Sequence, residues 1–315
     1  MRAALLPTPG DVPSVAYWLR NFATWRDQVD ELVVFVNGQS DPLALGTLWA
    51  LITEAGGRMC HSDAPAGHDG ALLRLLGETD AEYVVLCEDD AYVRHPGTVK
   101  ERFSDIHYGM TDIVASPRSE DYAGQWMDWG PYQPGSLLEL RHGMWPAFLF
   151  ARRADLLATD RIFGDRTWLL GETIEGWGEV TPEACREVGL SEDWLHLDTF
   201  FGTTFQLRAR GLRTRLVHHV RTYDAAATEK WVEEDPPWFH VTNLSTLWDT
   251  FALPTRLPGW EPGGGLWTRR VAWWRRMGVD VVAFIRRAGI SEADLAAWDA
   301  RFDPWVTWDD TRAGV

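Results

Sequence analysis

Apolar residues in the first hundred positions follow two spacings. Runs of adjacent apolar residues predict buried strands, and apolar residues that recur every three or four positions predict helices. Strands are expected at residues 2–6, 31–36, 58–61 and 83–87, and helices at residues 12–25, 43–55 and 71–76. Because strands that alternate with helices of this length form parallel sheets, the sequence predicts an α/β fold with a mostly parallel sheet flanked by helices.

The second half of the chain has a less regular pattern. It predicts a strand at residues 146–151, a short helix at 153–158, a helix at 198–210 and a strand at 212–220. Residues 116–144 and 171–192 show no periodicity, and the first of these segments is rich in Gly, Pro and aromatic residues. Loops of this length are often functional.

Three consecutive glycines, Gly263 to Gly265, mark a boundary near the end of the chain. We expect one domain at residues 1–255, in halves of 1–95 and 96–255, followed by a helical extension at 256–315. Within the extension, residues 268–287 combine an apolar face with six arginines and one aspartate. This pattern predicts packing in a protein interface, such as that of a homodimer. Contact with an anionic membrane is the less favoured alternative.

Three adjacent carboxylates follow the predicted strand at residues 83–87. They are Glu88, Asp89 and Asp90, and the strand should bring them to the edge where open α/β sheets bind ligands. Three adjacent acids repel one another, and carboxylates are the ligands that Mg²⁺ and Mn²⁺ prefer. The sequence therefore predicts a divalent cation here, with a plain acidic turn as the alternative.

The charge of the chain excludes one class of partner. Asp and Glu number 46 against 30 Lys and Arg, which gives a net charge of −16. Such a surface binds nucleic acid poorly, and it would repel a diphosphate unless a cation intervened. The three cysteines fit neither a disulfide framework nor a zinc pattern. Without a signal peptide or an apolar run of membrane-spanning length, the expected location is the cytoplasm.

Four stretches resemble the glycosyltransferases of the GT-A fold, closest to the family 2 type. They are residues 6–10 (LPTPG), 36–41 (VNGQSD), 81–90 (AEYVVLCEDD, at the place of the DxD motif) and 146–156 (PAFLFARRADL). The resemblance covers about the first 245 residues. It implies that residues 1–95 bind a nucleotide sugar and that residues 96–255 bind the acceptor. The implied reaction transfers a sugar from a nucleoside-diphosphate sugar to an acceptor hydroxyl, with Mn²⁺ or Mg²⁺ and with inversion.

The resemblance also implies a metal site. Asp90 would bind the cation directly, while Glu88 and Asp89 would hold the ribose or metal-bound water. His240 stands where many GT-A enzymes complete the metal site with a late histidine, although a core or surface histidine is the alternative. Glu88 replaces the usual first aspartate of the motif.

The implied general base is Asp198, which precedes the predicted helix at residues 198–210. Asp193 is the second candidate, and Asp198 is also well suited to capping that helix. Candidate acceptor contacts are the aromatic residues Trp126, Trp129 and Tyr132, which packing of the loop onto the core explains equally well.

Thr8, Pro9, Asn37 and Arg74 are the remaining candidate donor contacts. Asn37 replaces the aspartate that usually reads the base, so the donor nucleotide is open, and Arg74 is equally well explained as an exposed helix residue. Two other function classes compete. A sugar nucleotidyltransferase would need a basic, Gly-rich first loop, but residues 7–11 contain no Lys or Arg. A non-catalytic protein of this fold would bind nucleotide or sugar without turnover.

Overall fold

The computed structural model describes residues 1–117, 127–129, 144–159, 173–174, 178–179, 181, 203–204, 206–207, 210–217, 220–221 and 236–240. The helices are α1 (Val12–Ala23), α2 (Pro42–Glu54), α3 (His68–Gly77), α4 (Gly97–His107) and α5 (Arg153–Leu157), with a 3₁₀ turn at Arg26–Gln28. The strands are β1 (Arg2–Thr8), β2 (Glu31–Asn37), β3 (Arg58–Ser62), β4 (Tyr83–Cys87), β5 (Ala91–Val93), β6 (Ile113–Pro117), β7 (Met127–Trp129), β8 (Met144–Arg152), β9 (Thr173–Ile174), β10 (Gly178–Glu179), β11 (Thr214–Leu216), β12 (Val220–Arg221) and β13 (Trp238–His240).

Eight of these strands form one sheet in the order β3-β2-β1-β4-β8-β6-β11-β7. The first four strands are parallel to one another, and β6 is parallel to β11. Only β8 and β7 run antiparallel to their neighbours in this described sheet. The expected α/β fold with a mostly parallel sheet is therefore confirmed.

Both faces of the sheet are buried because apolar residues fill both sets of alternating positions. On β1, Ala4 and Leu6 belong to the core that also contains Trp18 and Phe22 of α1. The next positions, Ala3 and Leu5, belong to the opposite core, which contains the apolar stripe of α3. This period of two places a layer of helices on each face. It also accounts for β4, whose five residues are all buried, as the sequence predicts.

Helix α3 begins earlier than predicted. The sequence predicts it at residues 71–76, but it starts at His68 with Gly67 as its N-cap. Gly67 can end the preceding loop without a side chain, and Gly70 lies inside the helix rather than in a turn. The helix therefore extends one turn further towards the carboxyl ends of the parallel strands.

Other elements also differ from the expected pattern. The strand expected at residues 212–220 is divided between β11, in the large sheet, and β12, in a three-stranded sheet with β13 and β5. The sequence predicts no helix or strand at the residues that form α4 and β5. Strand β7 lies within the segment that is predicted to be a loop. Of the helix expected at residues 198–210, residues 203–204 and 206–207 are described and helical.

The expected extension at residues 256–315 lies outside the described residues, as does most of the loop at residues 171–192. In the part of the chain that is described, every helix is too short or too polar to cross a bilayer.

Candidate functional site

The three carboxylates lie at the carboxyl edge of the parallel strands, directly after β4. The Glu88 N–H donates to the carbonyl oxygen of Ala147 on β8 at 3.2 Å, and the Ala91 N–H closes the turn onto the Glu88 carbonyl at 3.1 Å. The chain then continues as β5, which pairs antiparallel with β13 so that His240 is opposite Ala91. This pairing brings a late histidine beside the carboxylates.

Glu88, Asp90 and His240 form a cluster in which one ligand atom from each residue lies within 4.8 Å of the others. His240 Nε2 is 2.9 Å from Asp90 Oδ1 and 3.0 Å from Glu88 Oε2. The side chains of His240, Asp90 and Glu88 are 2%, 9% and 14% exposed, so the cluster is largely buried. Two carboxylates and one imidazole suit a divalent cation, and the donor set therefore fits the expected Mn²⁺ or Mg²⁺.

The positive charge of His240 balances the negative charge of its carboxylate neighbours. Burial lowers the pKa of His240, but the charge of Asp90 and the hydrogen bonds to Asp90 and Glu88 outweigh burial and raise this pKa to about 10. Burial raises the pKa of Glu88, yet the hydrogen bond and charge of His240 hold this pKa below its usual value. His240 thus supplies positive charge beside the two carboxylates, as a bound cation would.

Asp89 lies on the other side of the turn. Its Oδ2 accepts a hydrogen bond of 2.7 Å from Thr8 Oγ1, and Thr8 Oγ1 accepts one of 3.0 Å from the Gly10 N–H. Burial, followed by the charge of Asp90, raises the Asp89 pKa well above its usual value. Asp89 thus connects the carboxylate turn to the turn between β1 and α1.

Two residues that the sequence analysis did not single out contact Glu88. Trp145 Nε1 donates a hydrogen bond of 3.0 Å to Glu88 Oε2, and the Trp145 ring lies edge-on to the His240 ring with centroids 5.3 Å apart. His68 Nε2 is 3.8 Å from Glu88 Oε1. The signal for Trp145 was its position immediately before the predicted strand at residues 146–151.

The candidate donor contacts are placed differently from one another. Thr8 reaches Asp89, and Pro9 is exposed beside it. The amide of Asn37 is bound on both sides by the backbone of Ala66, with Nδ2 donating to the carbonyl and Oδ1 accepting from the N–H, each at 2.7 Å. The Arg74 guanidinium lies over the Phe35 ring, 5.0 Å from its centroid.

The structure thus brings Thr8, Asp89, Glu88, Asp90 and His240 together, and it places Arg74 elsewhere. Arg74 is exposed in the last turn of α3. It is six residues beyond His68, which corresponds to about 9 Å along the helix axis.

The candidate bases Asp198 and Asp193 lie outside the described residues, as do Trp126 and Tyr132. Only the backbone of Trp129 is described, in β7.

No family model matches the sequence, and no curated protein matches it. Solved structures do show similarity. The match to S. aureus TarS spans 80% of this chain and 38% of the TarS chain, with a TM-score of 0.46 and 12% identity. The match to TarS 1–349 in complex with UDP-GlcNAc spans 52% of this chain and 48% of that chain, with a TM-score of 0.39 and 16% identity.

A third similar structure is glucosyl-3-phosphoglycerate synthase from Mycobacterium tuberculosis in complex with Mn²⁺, UDP-glucose and phosphoglyceric acid. This match spans 50% of this chain and 57% of the synthase chain, with a TM-score of 0.35 and 18% identity. This chain therefore spans between 38% and 57% of the lengths of these proteins. At TM-scores of 0.46 or lower, the assignment of fold and chemistry rests on the sheet and the site themselves.

Proposed function

We propose that the protein is a metal-dependent glycosyltransferase. It moves a sugar from a nucleoside-diphosphate sugar to an acceptor hydroxyl, with inversion at the anomeric carbon. The observation that carries this proposal is the cluster of Glu88, Asp90 and His240 at the carboxyl edge of the parallel strands. Ligands bind at this edge in open α/β sheets.

The chemistry of sugar transfer matches this donor set. Departure of a nucleoside diphosphate leaves negative charge on its phosphates, in a protein whose own net charge is −16. A divalent cation held by Glu88, Asp90 and His240 supplies Lewis-acid stabilisation of that charge. Asp89 and Thr8 fix the turn after β1 against the carboxylate turn, which shapes the adjoining wall of the donor site.

We assign the general base to Asp198, with Asp193 as the second candidate. An inverting transfer needs one group that removes the proton of the acceptor hydroxyl as it attacks. Asp198→Asn should leave donor binding unchanged and lower turnover by about 10²-fold or more. Asp193→Asn is the matched control, and a collapse of turnover in that variant alone would transfer the role to Asp193.

Calorimetric titration with a panel of nucleoside diphosphates, with and without Mn²⁺, tests the proposal. The panel begins with UDP, the nucleotide present in several of the similar structures. We expect one diphosphate to bind in Mn²⁺ and to bind far more weakly after chelation. Asp90→Asn should reproduce that loss, whereas Asp80→Asn, at an exposed position outside the cluster, should not. Equal affinity with and without metal would refute the assignment of the metal site.

Product analysis separates the proposed reaction from its alternatives. A glycosyltransferase releases nucleoside diphosphate and forms a glycoside of inverted configuration. Release of pyrophosphate from a nucleoside triphosphate would instead indicate a sugar nucleotidyltransferase. Binding without any turnover across sugar donors and hydroxyl acceptors would indicate a non-catalytic protein.

We further propose that the C-terminal residues 268–287 pack in an interface, as in a homodimer. Truncation after Pro262 should then change the sedimentation profile or cause aggregation. Binding of the isolated segment to anionic vesicles, with no change in sedimentation, would favour membrane contact instead.

A further inference from the structure

His68 continues the buried stripe of α3 beyond the edge of the sheet. Residues three and four positions apart share one face of a helix, so His68 lies on the same face as Ala71 and Leu72. Those two residues are fully buried in the core formed with β1 and β2. His68, one turn earlier, lies at the carboxyl edge, where its imidazole faces Glu88.

The two oxygens of Glu88 have different neighbours. Oε2 accepts the hydrogen bond from Trp145 and faces His240, both at 3.0 Å. Oε1 faces His68 Nε2 at 3.8 Å, which is longer than a hydrogen bond. The His68 side chain is 37% exposed, whereas that of Glu88 is 14% exposed. His68 therefore borders the open side of Glu88, opposite the enclosed side where His240 lies.

The loop that delivers His68 is fixed to the end of β2. The Asn37 amide binds both backbone groups of Ala66, and the Gly38 N–H donates to the Ser62 carbonyl at 2.8 Å. Gly38 has a φ of +82°, and a Cβ there would lie 2.9 Å from Cβ of Pro65. A side chain at Gly38 would thus both strain the backbone and push the loop away. This close fit holds the start of α3 in one position.

We propose that His68 binds the diphosphate of the donor, with an imidazole N–H donating to a phosphate oxygen. The inference rests on the proposed function, because it takes the diphosphate to be held at the cation between Glu88, Asp90 and His240. A diphosphate that reached such a cation would approach it from the exposed side of the cluster, which is the side of Glu88 that His68 borders. His68 is then the basic residue of α3 that faces the donor, and Arg74 is not.

Phosphate is the ligand group that this position favours. The described surroundings of the cluster are mainly acidic, so an arriving anion needs donors in addition to the cation. An imidazole N–H makes a stronger hydrogen bond to a charged phosphate oxygen than to a sugar hydroxyl. Backbone N–H groups in the first turn of α3 add a weaker attraction of the same sign.

Inorganic pyrophosphate tests this contact without assuming a base or a sugar. Its affinity is measured by calorimetry in saturating Mn²⁺, and the affinity for Mn²⁺ alone is measured by electron paramagnetic resonance. We expect His68→Ala to weaken pyrophosphate binding by about 10- to 100-fold, the range for one hydrogen bond to a charged group, with Mn²⁺ affinity unchanged. His68→Gln, which keeps an N–H donor, should restore part of the loss.

Arg74→Ala is the matched control, because it removes a basic residue from the same helix at an exposed position. It should bind pyrophosphate as the parent does, and melting temperatures of all variants verify that they fold. Unchanged pyrophosphate affinity in His68→Ala would overturn the inference. An equal loss of Mn²⁺ affinity would also overturn it, because His68 would then act only by orienting Glu88.

The same titrations separate this inference from the proposed function. A parent protein that binds neither pyrophosphate nor any nucleoside diphosphate in Mn²⁺ overturns both. A parent that binds pyrophosphate only with Mn²⁺, alongside an unaffected His68→Ala variant, overturns the contact with His68 alone.

Discussion

Glu88 and Asp89 are neighbours in the chain and lie in opposite surroundings. Glu88 faces an imidazolium and an indole N–H, which hold its pKa below the usual value even though burial opposes them. Asp89 is buried against a threonine hydroxyl and near the charge of Asp90, and its pKa is raised. One carboxylate is thus kept charged and the other is readily protonated.

This difference shows that a run of acids need not act as one site. Desolvation penalises the charged form of both groups, so a cationic neighbour decides which of them remains ionised. His240 provides that neighbour for Glu88, on the side of the turn that also carries Asp90. Thr8 can offer Asp89 only a hydroxyl. We therefore expect Glu88 and Asp90 to bind the cation and Asp89 to fix the turn.

The largest effect should come from neutralising Glu88, and neutralising Asp89 is its matched comparison. Glu88→Gln removes a ligand charge, and we expect Mn²⁺ affinity to fall by at least about 100-fold, since even residues that only orient a ligand contribute about 10- to 100-fold. Asp89→Asn keeps an oxygen for the Thr8 hydroxyl and should change Mn²⁺ affinity by less than about tenfold. Equal losses in the two variants, measured by Mn²⁺ titration, would remove the distinction.

The same pair of variants should differ in stability. A raised pKa means that the folded, metal-free protein loses stability as pH rises from the unfolded pKa of Asp89 towards its folded pKa. Asp89→Asn removes this loss, so its melting temperature at pH 7 should be slightly above that of the parent. Glu88→Gln breaks the pair with His240 and should lower the melting temperature.

The second effect is a pH dependence that His240 imposes on the metal. Its pKa of about 10 exceeds the usual value, so its pairing with the carboxylates stabilises the metal-free protein below pH 6.5 and is lost as pH rises through about 10. A cation must displace this proton. Apparent Mn²⁺ affinity should therefore rise by up to about tenfold per pH unit between pH 6.5 and 8.5.

Proton release is measured by calorimetry in buffers of different ionisation enthalpy. We expect about one proton released for each Mn²⁺ bound at pH 7. His240→Gln should bind Mn²⁺ more weakly and with a flat pH profile. A profile in this variant as steep as in the parent would show that another group supplies the proton.

The sequence predicts the carboxylate edge well because the signal for it is local. Residues 83–87 read directly as a buried strand, and the acids that follow must then lie at its end. The position of His240 depends on pairing between β13 and β5, which are about 150 residues apart in the chain. Nothing in the residues around His240 encodes that pairing, so only the resemblance could suggest a place for it.

Local signals can also be misread. The apolar stripe of α3 includes His68 by its spacing from Ala71 and Leu72, but two nearby glycines favour a turn when they are read alone. The resemblance places a basic residue in this helix and so implies Arg74 as a donor contact. Arg74 lies off the buried stripe, whereas His68 continues it, and the titrations of Arg74→Ala and His68→Ala distinguish the two candidates.

The third effect concerns the indole beside Glu88. Trp145→Phe keeps an aromatic ring next to His240 and removes the N–H that donates to Glu88 Oε2. We expect Mn²⁺ affinity to fall by about tenfold, which is typical of residues that orient a metal ligand. Trp49→Phe, at an exposed position on α2, is the matched control and should have no effect. A normal Mn²⁺ affinity in Trp145→Phe would show that the indole N–H does not orient Glu88 for the cation.

The smallest effect should come from Asn37, which binds the loop that carries His68 to the Glu88 side of the cluster. Asn37→Ala removes both hydrogen bonds to Ala66, and each is worth about 0.5–1.5 kcal/mol. We expect a lower melting temperature and a loss of about 2- to 10-fold in pyrophosphate affinity in Mn²⁺, because the start of α3 is no longer fixed. In a His68→Ala background the same substitution should lower stability but cause no further loss of pyrophosphate affinity. Additive losses of affinity would instead mean that Asn37 contacts the donor itself, as the sequence resemblance implies.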